Sequence, residues 1–176
     1  MTAIAGHTAA SERIYIERAQ ALLPKLRERA DAAEAARCIP AETISDFHDA
    51  GFFRLLQPKR WNGHEADPQT FFDVVIEVGS ACPSSAWVLG VVAVHQWQMA
   101  LFADEAQQEV WSDDTNTLIS SSYMPAGKVT PVDGGYRFSG RWGFSSGCDH
   151  CQWAFLGGFV PPKDDKGVPD LSLIHI

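Results

Sequence analysis

The 176-residue sequence predicts an α+β protein, in which a helical domain is followed by a β domain. Apolar residues recur at helical spacing over roughly the first two thirds of the chain. Near Asn116 this spacing stops, and short runs rich in β-branched and aromatic residues begin, bounded by glycine and proline turns. We therefore place an N-terminal all-helical domain at 1–115 and an incomplete β domain at 116–176.

Two helices are predicted before residue 51. Ser11 can cap the first helix, with Glu12 in its first turn. Pro24 should kink that helix or mark a restart. Pro40 suits the first turn of the second helix, and Gly51 its end. The apolar faces consist of Ala19, Leu22, Leu23, Leu26, Ala30 and Ala33 in the first helix, and of Ile44 and Phe47 in the second.

Three more helices follow. Asp67 and Pro68 open the third, with Phe71, Phe72, Val75 and Ile76 predicted to point inward. The fourth begins at Ser84 or Ser85 and runs to about Leu101; it is apolar nearly all round, which predicts the central, buried helix. Asp104 begins a short fifth helix, and Gln107 completes a capping box with it.

The β region contains one clear hairpin. Asp133-Gly134-Gly135 forms its turn, because glycine accepts positive φ at little cost. Pro161–Pro169 is predicted to be an exposed loop. The predicted strands are Thr117–Tyr123, Lys128–Val132, Tyr136–Ser139, Cys151–Val160 and a strand that starts in Leu171–Ile176. Because this last strand has nothing after it, we expect the chain to be a fragment.

Charge and hydropathy narrow the classes of partner. A net charge of −8 argues against nucleic acid and against an anionic membrane surface. Ala86–Val94, the longest apolar run, is about half of the roughly 20 residues that a membrane span needs. Residues 1–10 lack the features of a signal peptide. We therefore expect a cytoplasmic protein whose cysteines (Cys38, Cys82, Cys148 and Cys151) are reduced.

Two local motifs carry a family resemblance. The first combines Gly51-Phe52-Phe53, Pro58 and Trp61-Asn62-Gly63, and the second runs from Asp133 to Trp142. Both resemble the acyl-CoA dehydrogenase superfamily, over essentially the whole chain to about Asp170. The resemblance implies an acyl-CoA dehydrogenase-like fold: an N-terminal helical domain, a β-barrel-like middle domain, and a C-terminal four-helix domain that is missing here.

Departures from the dehydrogenase pattern indicate one branch. Ser120–Lys128 lacks the Ser-Asp pair of the dehydrogenases, and Trp142–Gly147 replaces their Trp-Ile-Thr-Asn segment. With Val94–Trp97 and Ser145–His150, these features resemble the oxygenase components of two-component, flavin-dependent phenol hydroxylases. Seco-steroid phenol monooxygenases and p-hydroxyphenylacetate 3-hydroxylases are the most similar groups.

This resemblance implies a reaction and its partners. Reduced flavin (FMN or FAD) and O2 would ortho-hydroxylate a small aromatic or steroid phenol to a catechol, without a metal. A separate NAD(P)H-dependent reductase would supply the flavin, and the intact protein would be a homotetramer. The 176 residues alone are expected to have little activity, because the missing helical domain contributes to the flavin site.

The resemblance also assigns residues. Ser146 matches the serine that hydrogen-bonds flavin N5, although a serine can also simply finish a turn before Gly147. His95 matches the histidine that faces the phenol hydroxyl, with Ser121 as the second phenol contact; a hydrogen-bonded core histidine is the alternative. Trp87, Ser122, Tyr123, Phe144 and Ser145, with Ser121 and Ser146, match flavin-lining positions, for which ordinary β-domain packing is the alternative. Trp142 is compatible with flavin contact and equally with core packing.

Cys148-Asp149-His150-Cys151 raises two other hypotheses. A structural zinc site needs a fourth ligand, and Cys38 and Cys82 are isolated. A redox Cys-x-x-Cys motif needs a helix N-terminus, whereas we predict a strand here. Asp149 and His150 are expected to stabilise a local turn. Gly157-Gly158 lacks the spacing of a nucleotide-binding loop.

Two alternatives to the hydroxylase remain open. An acyl-CoA dehydrogenase shares the fold and flavin, but its glutamate base lies in the C-terminal domain; the lost Ser-Asp pair and the presence of His95 argue against it. The other alternative is non-catalytic: an inactive fragment or a flavin-binding module.

Overall fold

The computed structural model describes residues 12–160, residue 162 and the backbone of residues 170–175. Five helices precede four strands, which confirms the predicted α+β order. The chain divides into two compact units between Leu118 and Ile119. The elements are α1 Arg13–Ala36, α2 Ala41–Asp49, α3 Pro68–Gly79, α4 Pro83–Met99, α5 Asp104–Trp111, β1 Ile119–Val132, β2 Gly135–Ser139, β3 Trp153–Val160 and β4 Asp170–His175.

Helix α1 packs through a seven-residue repeat. Ala19, Leu26 and Ala33 are buried along one stripe. Pro24 lies inside this single helix, so the restart that was one of two expectations does not occur. Ser11 lies outside the described residues. Glu12 precedes the helix, and its carboxylate accepts hydrogen bonds from the Asp67 amide and the Thr70 hydroxyl at the start of α3.

Helix α3 begins as predicted but turns a different face inward. The Asp67 carboxylate caps it by accepting a hydrogen bond from the Gln69 amide at 2.8 Å. Phe71, Val74 and Val78 are buried. Phe72 and Ile76 were predicted to point inward and are 55% and 68% exposed, so that prediction is wrong. The helix carries apolar residues on two faces, and periodicity alone does not say which of them packs.

Helix α4 is buried over a broad face rather than all round. It starts at Pro83, slightly before the predicted Ser84 or Ser85, and ends at Met99. Its buried residues are Ser85, Ala86, Val88, Leu89, Val92, Ala93, His95, Gln96 and Met99. Trp87 and Trp97, in contrast, are 64% and 51% exposed.

The capping box predicted for α5 does not form. Ala103 is the residue that precedes the helix, so Asp104 lies already within its first turn. The Gln107 side-chain amide donates instead to the carbonyl oxygens of Ala100 and Phe102, at 3.1 and 2.7 Å. Gln107 therefore fixes the loop that leads into α5.

The second unit contains a mixed sheet with the strand order β2-β1-β3-β4. β1 pairs antiparallel with β2 through the predicted hairpin, and Gly134 has a φ of 78°. β1 is parallel to β3, and β4 is antiparallel to β3. Thr117–Tyr123 and Lys128–Val132, predicted as two strands, belong to the one strand β1, which starts at Ile119.

A bulge in β1 explains the paired glycines of β3. Ser122 is opposite Leu156 and Gly127 is opposite Gly158, so the four residues 123–126 of β1 lie opposite the single Gly157 of β3. A Cβ atom on Gly157 would overlap the Tyr123 carbonyl oxygen and lie 2.9 Å from that of Met124. The glycines at 157 and 158 therefore permit close packing in the sheet.

Candidate active site

His95 lies fully buried on α4, at 0% exposure. The residues one turn before and after it on the same face, Val92 and Met99, are also buried, so the surroundings on α4 are apolar. Next to it, the Gln96 amide donates to the Thr117 carbonyl oxygen at 3.2 Å. This bond holds the middle of α4 to the segment that leads out of the helical unit.

Gln96 was not among the residues predicted from the sequence. Its Oε1 atom is buried and has no hydrogen-bond partner within the described part of the chain. A buried acceptor normally has a partner, so an unpaired one next to His95 makes Gln96 a candidate site residue. The signal available in the sequence was a second polar residue beside His95 in an apolar helix.

Trp87 lies on α4 but faces away from His95. Its exposed ring lines an apolar groove of about 480 Å³ between α3 and α4. The α4 residues that line the groove recur every three or four positions and therefore share one side of the helix. His95 lies on the other side of the helix, with the buried residues Val92 and Met99. The structure therefore does not bring Trp87 and His95 into one pocket. The lining consists of Phe71, Phe72, Val75, Gly79, Pro83, Ala86, Trp87, Gly90, Val91 and Val94.

The three consecutive serines open β1 in the second unit. Ser120, Ser121 and Ser122 are each buried, at 2%, 6% and 5% exposure. Side chains alternate along a strand, so Ser121 points to the opposite face from the other two. The Ser120 hydroxyl donates to the Trp153 carbonyl oxygen at 3.4 Å, and the Ser122 hydroxyl to that of Gly143 at 2.8 Å. Tyr123, which follows at the bulge, is 46% exposed.

Trp142 anchors the segment from 142 to 147. Its indole Nε1 donates to the Gly157 carbonyl oxygen at 3.0 Å, and its ring packs on Phe138 at a centroid distance of 4.9 Å. A Cβ on Gly127 would lie 2.6 Å from the Trp142 ring. Trp142 is half-buried and therefore packs within the β unit through these contacts.

Phe144 is the exposed member of this segment. Its side chain is 95% exposed, and its φ of 59° is a left-handed conformation. An aromatic residue rarely adopts this conformation, which costs roughly 1–2 kcal/mol. The Trp142 indole hydrogen bond and the Ser122–Gly143 hydrogen bond anchor the two residues that directly precede Phe144. A large apolar ring held outward in this way fits a flat ligand or a covering segment.

Ser145 and Ser146 are half-buried and lie directly after Phe144. The Ser145 carbonyl oxygen accepts from the Cys148 amide at 3.2 Å, and Gly147, with a φ of 76°, starts a 3₁₀ turn over Cys148–His150. The predicted strand through Cys151 is wrong at its start, because β3 begins at Trp153.

These residues fit a flat ring with polar edges, such as a flavin. The rings of Phe144 and Tyr123 are exposed and apolar, and the half-buried hydroxyl residues Ser145 and Ser146 follow Phe144 directly in the chain. The structure brings Ser122 and the 142–147 segment together, and it places Trp87 and His95 on the other unit. Among the described residues, no group of three or more His, Cys, Asp or Glu side chains is arranged to hold a metal ion.

The fold defines an acyl-CoA dehydrogenase-like protein. Residues 11–116 match the family model "Acyl-CoA dehydrogenase, N-terminal domain". The chain belongs to the acyl-CoA dehydrogenase family. Within the part of the chain that the structure describes, no helix is both long and apolar enough to cross a membrane.

Curated relatives share more than the N-terminal domain. The chain is 48% identical over 159 residues to the flavin-dependent monooxygenase, oxygenase subunit HsaA, of Rhodococcus jostii, covering 90% of this chain and 41% of the relative. It is 36% identical over 142 residues to the oxygenase component of p-hydroxyphenylacetate 3-hydroxylase of Acinetobacter baumannii, covering 81% and 34%. The chain thus spans about two fifths of the length of these relatives.

A solved structure agrees. The 3-HSA hydroxylase of Rhodococcus sp. RHA1 superposes with a TM-score of 0.87 at 47% identity, covering 92% of this chain and 42% of that one. The relatives are thus oxygenase components of flavin-dependent monooxygenases, and the predicted resemblance is confirmed.

Proposed function

We propose that this chain carries the helical domain and part of the β domain of an oxygenase component in a two-component flavin-dependent monooxygenase. Its reaction is the hydroxylation of a phenol, either a small aromatic or a steroid phenol, beside the existing hydroxyl to give a catechol. The observation that carries the proposal is the outward, left-handed Phe144 with the adjacent hydroxyl of Ser146, on a segment fixed by Ser122 and Trp142. The names of the relatives support it.

The cofactor in this proposal is reduced flavin, FMN or FAD, which supplies the electrons that activate O2. A separate NAD(P)H-dependent reductase delivers it, as the description of the relatives as oxygenase subunit and oxygenase component suggests. The intact oxygenase is a homotetramer in this proposal.

Ser146 would hydrogen-bond to N5 of a bound flavin, because a hydroxyl can rotate to donate or accept. Phe144 and Tyr123 cover the ring faces, and Ser122 and Ser145 support the same segment. Together the aromatic side chains keep water from the reacting edge, which protects the activated oxygen from loss as peroxide. Trp87, with its exposed ring on α4, is the remaining flavin contact in this proposal.

His95 accepts the proton of the phenol hydroxyl at an imidazole nitrogen, and Ser121 makes the second contact to that hydroxyl. Removing this proton makes the ring electron-rich at the adjacent carbon. The buried position of His95 serves this role, since an apolar environment strengthens a hydrogen bond to the phenol oxygen.

A chimera tests the proposal. The 159 matched residues replace their counterparts in the Rhodococcus jostii oxygenase subunit, and the natural subunit is the control. The assay supplies a flavin reductase, NADH, O2 and either p-hydroxyphenylacetate or a steroid phenol. The proposal expects catechol formation with both proteins. Binding of reduced flavin without any hydroxylated product would contradict it, and flavin reduction by an acyl-CoA without added reductant would favour a dehydrogenase.

A further inference from the structure

Two cysteines lie in one turn directly after the Ser145–Ser146 segment. Cys148 is exposed and Cys151 is half-buried. The 3₁₀ turn between them is closed by the Cys151 amide, which donates to the Cys148 carbonyl oxygen at 3.2 Å. The flavin site proposed above makes no use of either thiol.

The turn places the two cysteines within reach of a disulfide. Residues i and i+3 of a hydrogen-bonded turn have Cα atoms less than about 7 Å apart. Disulfides join Cα atoms about 4.4–6.8 Å apart. The Cys151 thiol is oriented within this turn, since it donates to the Gly147 carbonyl oxygen at 3.3 Å.

We propose that Cys148 and Cys151 are a redox-active thiol pair, which hydrogen peroxide closes into a disulfide within one chain. Cys148 is the cysteine oxidised first, and Cys151 then attacks the oxidised sulfur to form the disulfide. This inference goes beyond the proposed function and does not depend on it.

Exposure and charge assign these two roles. Cys148 is reached from solvent, as an oxidant requires. Burial raises the pKa of the Cys151 thiol to about 12, with further contributions from nearby Cys148 and Asp149. Cys151 therefore stays a thiol in neutral solution and is a poor first nucleophile.

The two steps balance. The Cys148 thiolate sulfur attacks one oxygen of hydrogen peroxide; the O–O bond breaks, a sulfenic acid forms and hydroxide leaves. Cys151 then loses its proton and its sulfur attacks the sulfenic sulfur; the S–S bond forms, the S–O bond breaks and water leaves. Two thiols are oxidised by one peroxide. Oxidation of Cys148 also removes its repulsion of charge on Cys151, which favours the second step.

Peptide mass spectrometry tests the proposal. The full chain is treated with hydrogen peroxide, alkylated with iodoacetamide and digested with trypsin. One tryptic peptide, 142–163, contains both Cys148 and Cys151 and no other cysteine. We expect this peptide to carry no alkyl group and to be two hydrogens lighter than the peptide with two free thiols. Reduction with dithiothreitol before alkylation should restore both alkylation sites. Cys38 and Cys82 serve as internal controls that stay alkylated.

A variant separates the two roles. In Cys151→Ala, dimedone should label a persistent sulfenic acid on Cys148, whereas the unmodified chain should lose this label as the disulfide closes. A sulfinic acid on Cys148 with alkylated Cys151 in the unmodified chain would overturn the proposal. So would a disulfide between two chains. Because the unmodified chain gives the decisive readout, a folding defect in the variant leaves the test intact.

Discussion

The Ser122 hydroxyl donates a 2.8 Å hydrogen bond to the Gly143 carbonyl oxygen. This bond joins the start of β1 to the segment that holds Phe144 outward, and it is a direct side-chain link between the serine cluster and that segment. Ser122 thus helps to fix the position of the 142–147 segment, which carries the residues proposed to contact the flavin.

Ser122→Ala is expected to loosen residues 143–147. Losing this bond costs about 1 kcal/mol, which corresponds to roughly fivefold faster amide exchange where the segment opens locally. Hydrogen–deuterium exchange followed by mass spectrometry measures it. Ser139→Ala on the exposed strand β2 is the matched control. Unchanged exchange in Ser122→Ala would show that Trp142 alone holds the segment.

Ser146→Ala is expected to uncouple O2 consumption from hydroxylation in the chimera described above. Without the hydroxyl at flavin N5, activated oxygen is lost as peroxide, and catechol per O2 should fall about tenfold or more. Catechol is quantified by chromatography and peroxide by a peroxidase assay. Ser139→Ala again serves as control. Equal coupling in Ser146→Ala and the control would remove Ser146 from the proposed role.

Gly157→Ala is expected to destabilise the β unit. The added methyl group would overlap the Tyr123 carbonyl oxygen, which is backbone and cannot turn aside. We expect a loss of about 3 kcal/mol or more in the free energy of unfolding, measured by urea denaturation. Gly135→Ala is the control, because a Cβ there meets nothing within 4 Å. Similar stabilities for the two variants would argue against the bulge.

Asp46→Asn is expected to change how the helical unit responds to acid. Burial acts to raise the pKa of the Asp46 carboxyl, but hydrogen bonds from Arg29 and Lys25, at 2.7 and 3.2 Å, prevail and lower it. A lowered pKa in the folded state contributes stability above the unfolded value of 3.8, and this stability is lost as pH falls through the folded pKa. The contribution is at most about 1 kcal/mol for such a pair.

The measurement is urea denaturation between neutral pH and pH 3. The stability difference between the unmodified chain and Asp46→Asn should be constant near neutrality and shrink below about pH 4. Asp49→Asn, at the end of the same helix, is the control. If the stability difference does not shrink in acid, the charge of the Arg29–Asp46 ion pair contributes nothing to the free energy of unfolding.

Local sequence signals predicted much of this fold. Asp67 before Pro68 marked the cap of α3, and Gly134 marked the hairpin turn, because both depend on nearest neighbours along the chain. Phe72 and Ile76 were misplaced because α3 has two apolar faces and only packing selects one. The single strand β1 was divided in two, since the pairing shift that absorbs Tyr123 to Ala126 depends on β3.

The candidate site was predicted by resemblance more than by chemistry. Serine in a turn, as at Ser146, is too common to indicate function by itself. The sequence also could not reveal that Phe144 adopts a left-handed conformation, or that the Trp142 indole N–H donates to the Gly157 carbonyl oxygen, because both depend on contacts across the sheet. Whether His95, Ser121 and Ser146 act together stays a prediction.

The connection between α3 and α4 limits how this part of the chain can change in length. Only residues 80–82 join the two helices, and the amides of Ala81 and Cys82 both donate to the Val78 carbonyl oxygen. If this short connection keeps its hydrogen bonds, one residue added as helix at the start of α4 would turn α4 by about 100°. That rotation would move groove-lining residues such as Trp87 toward the core and buried residues such as His95 away from it. Insertions and deletions should therefore be tolerated at the exposed turn of Asp133 and Gly134, and selected against between the two helices.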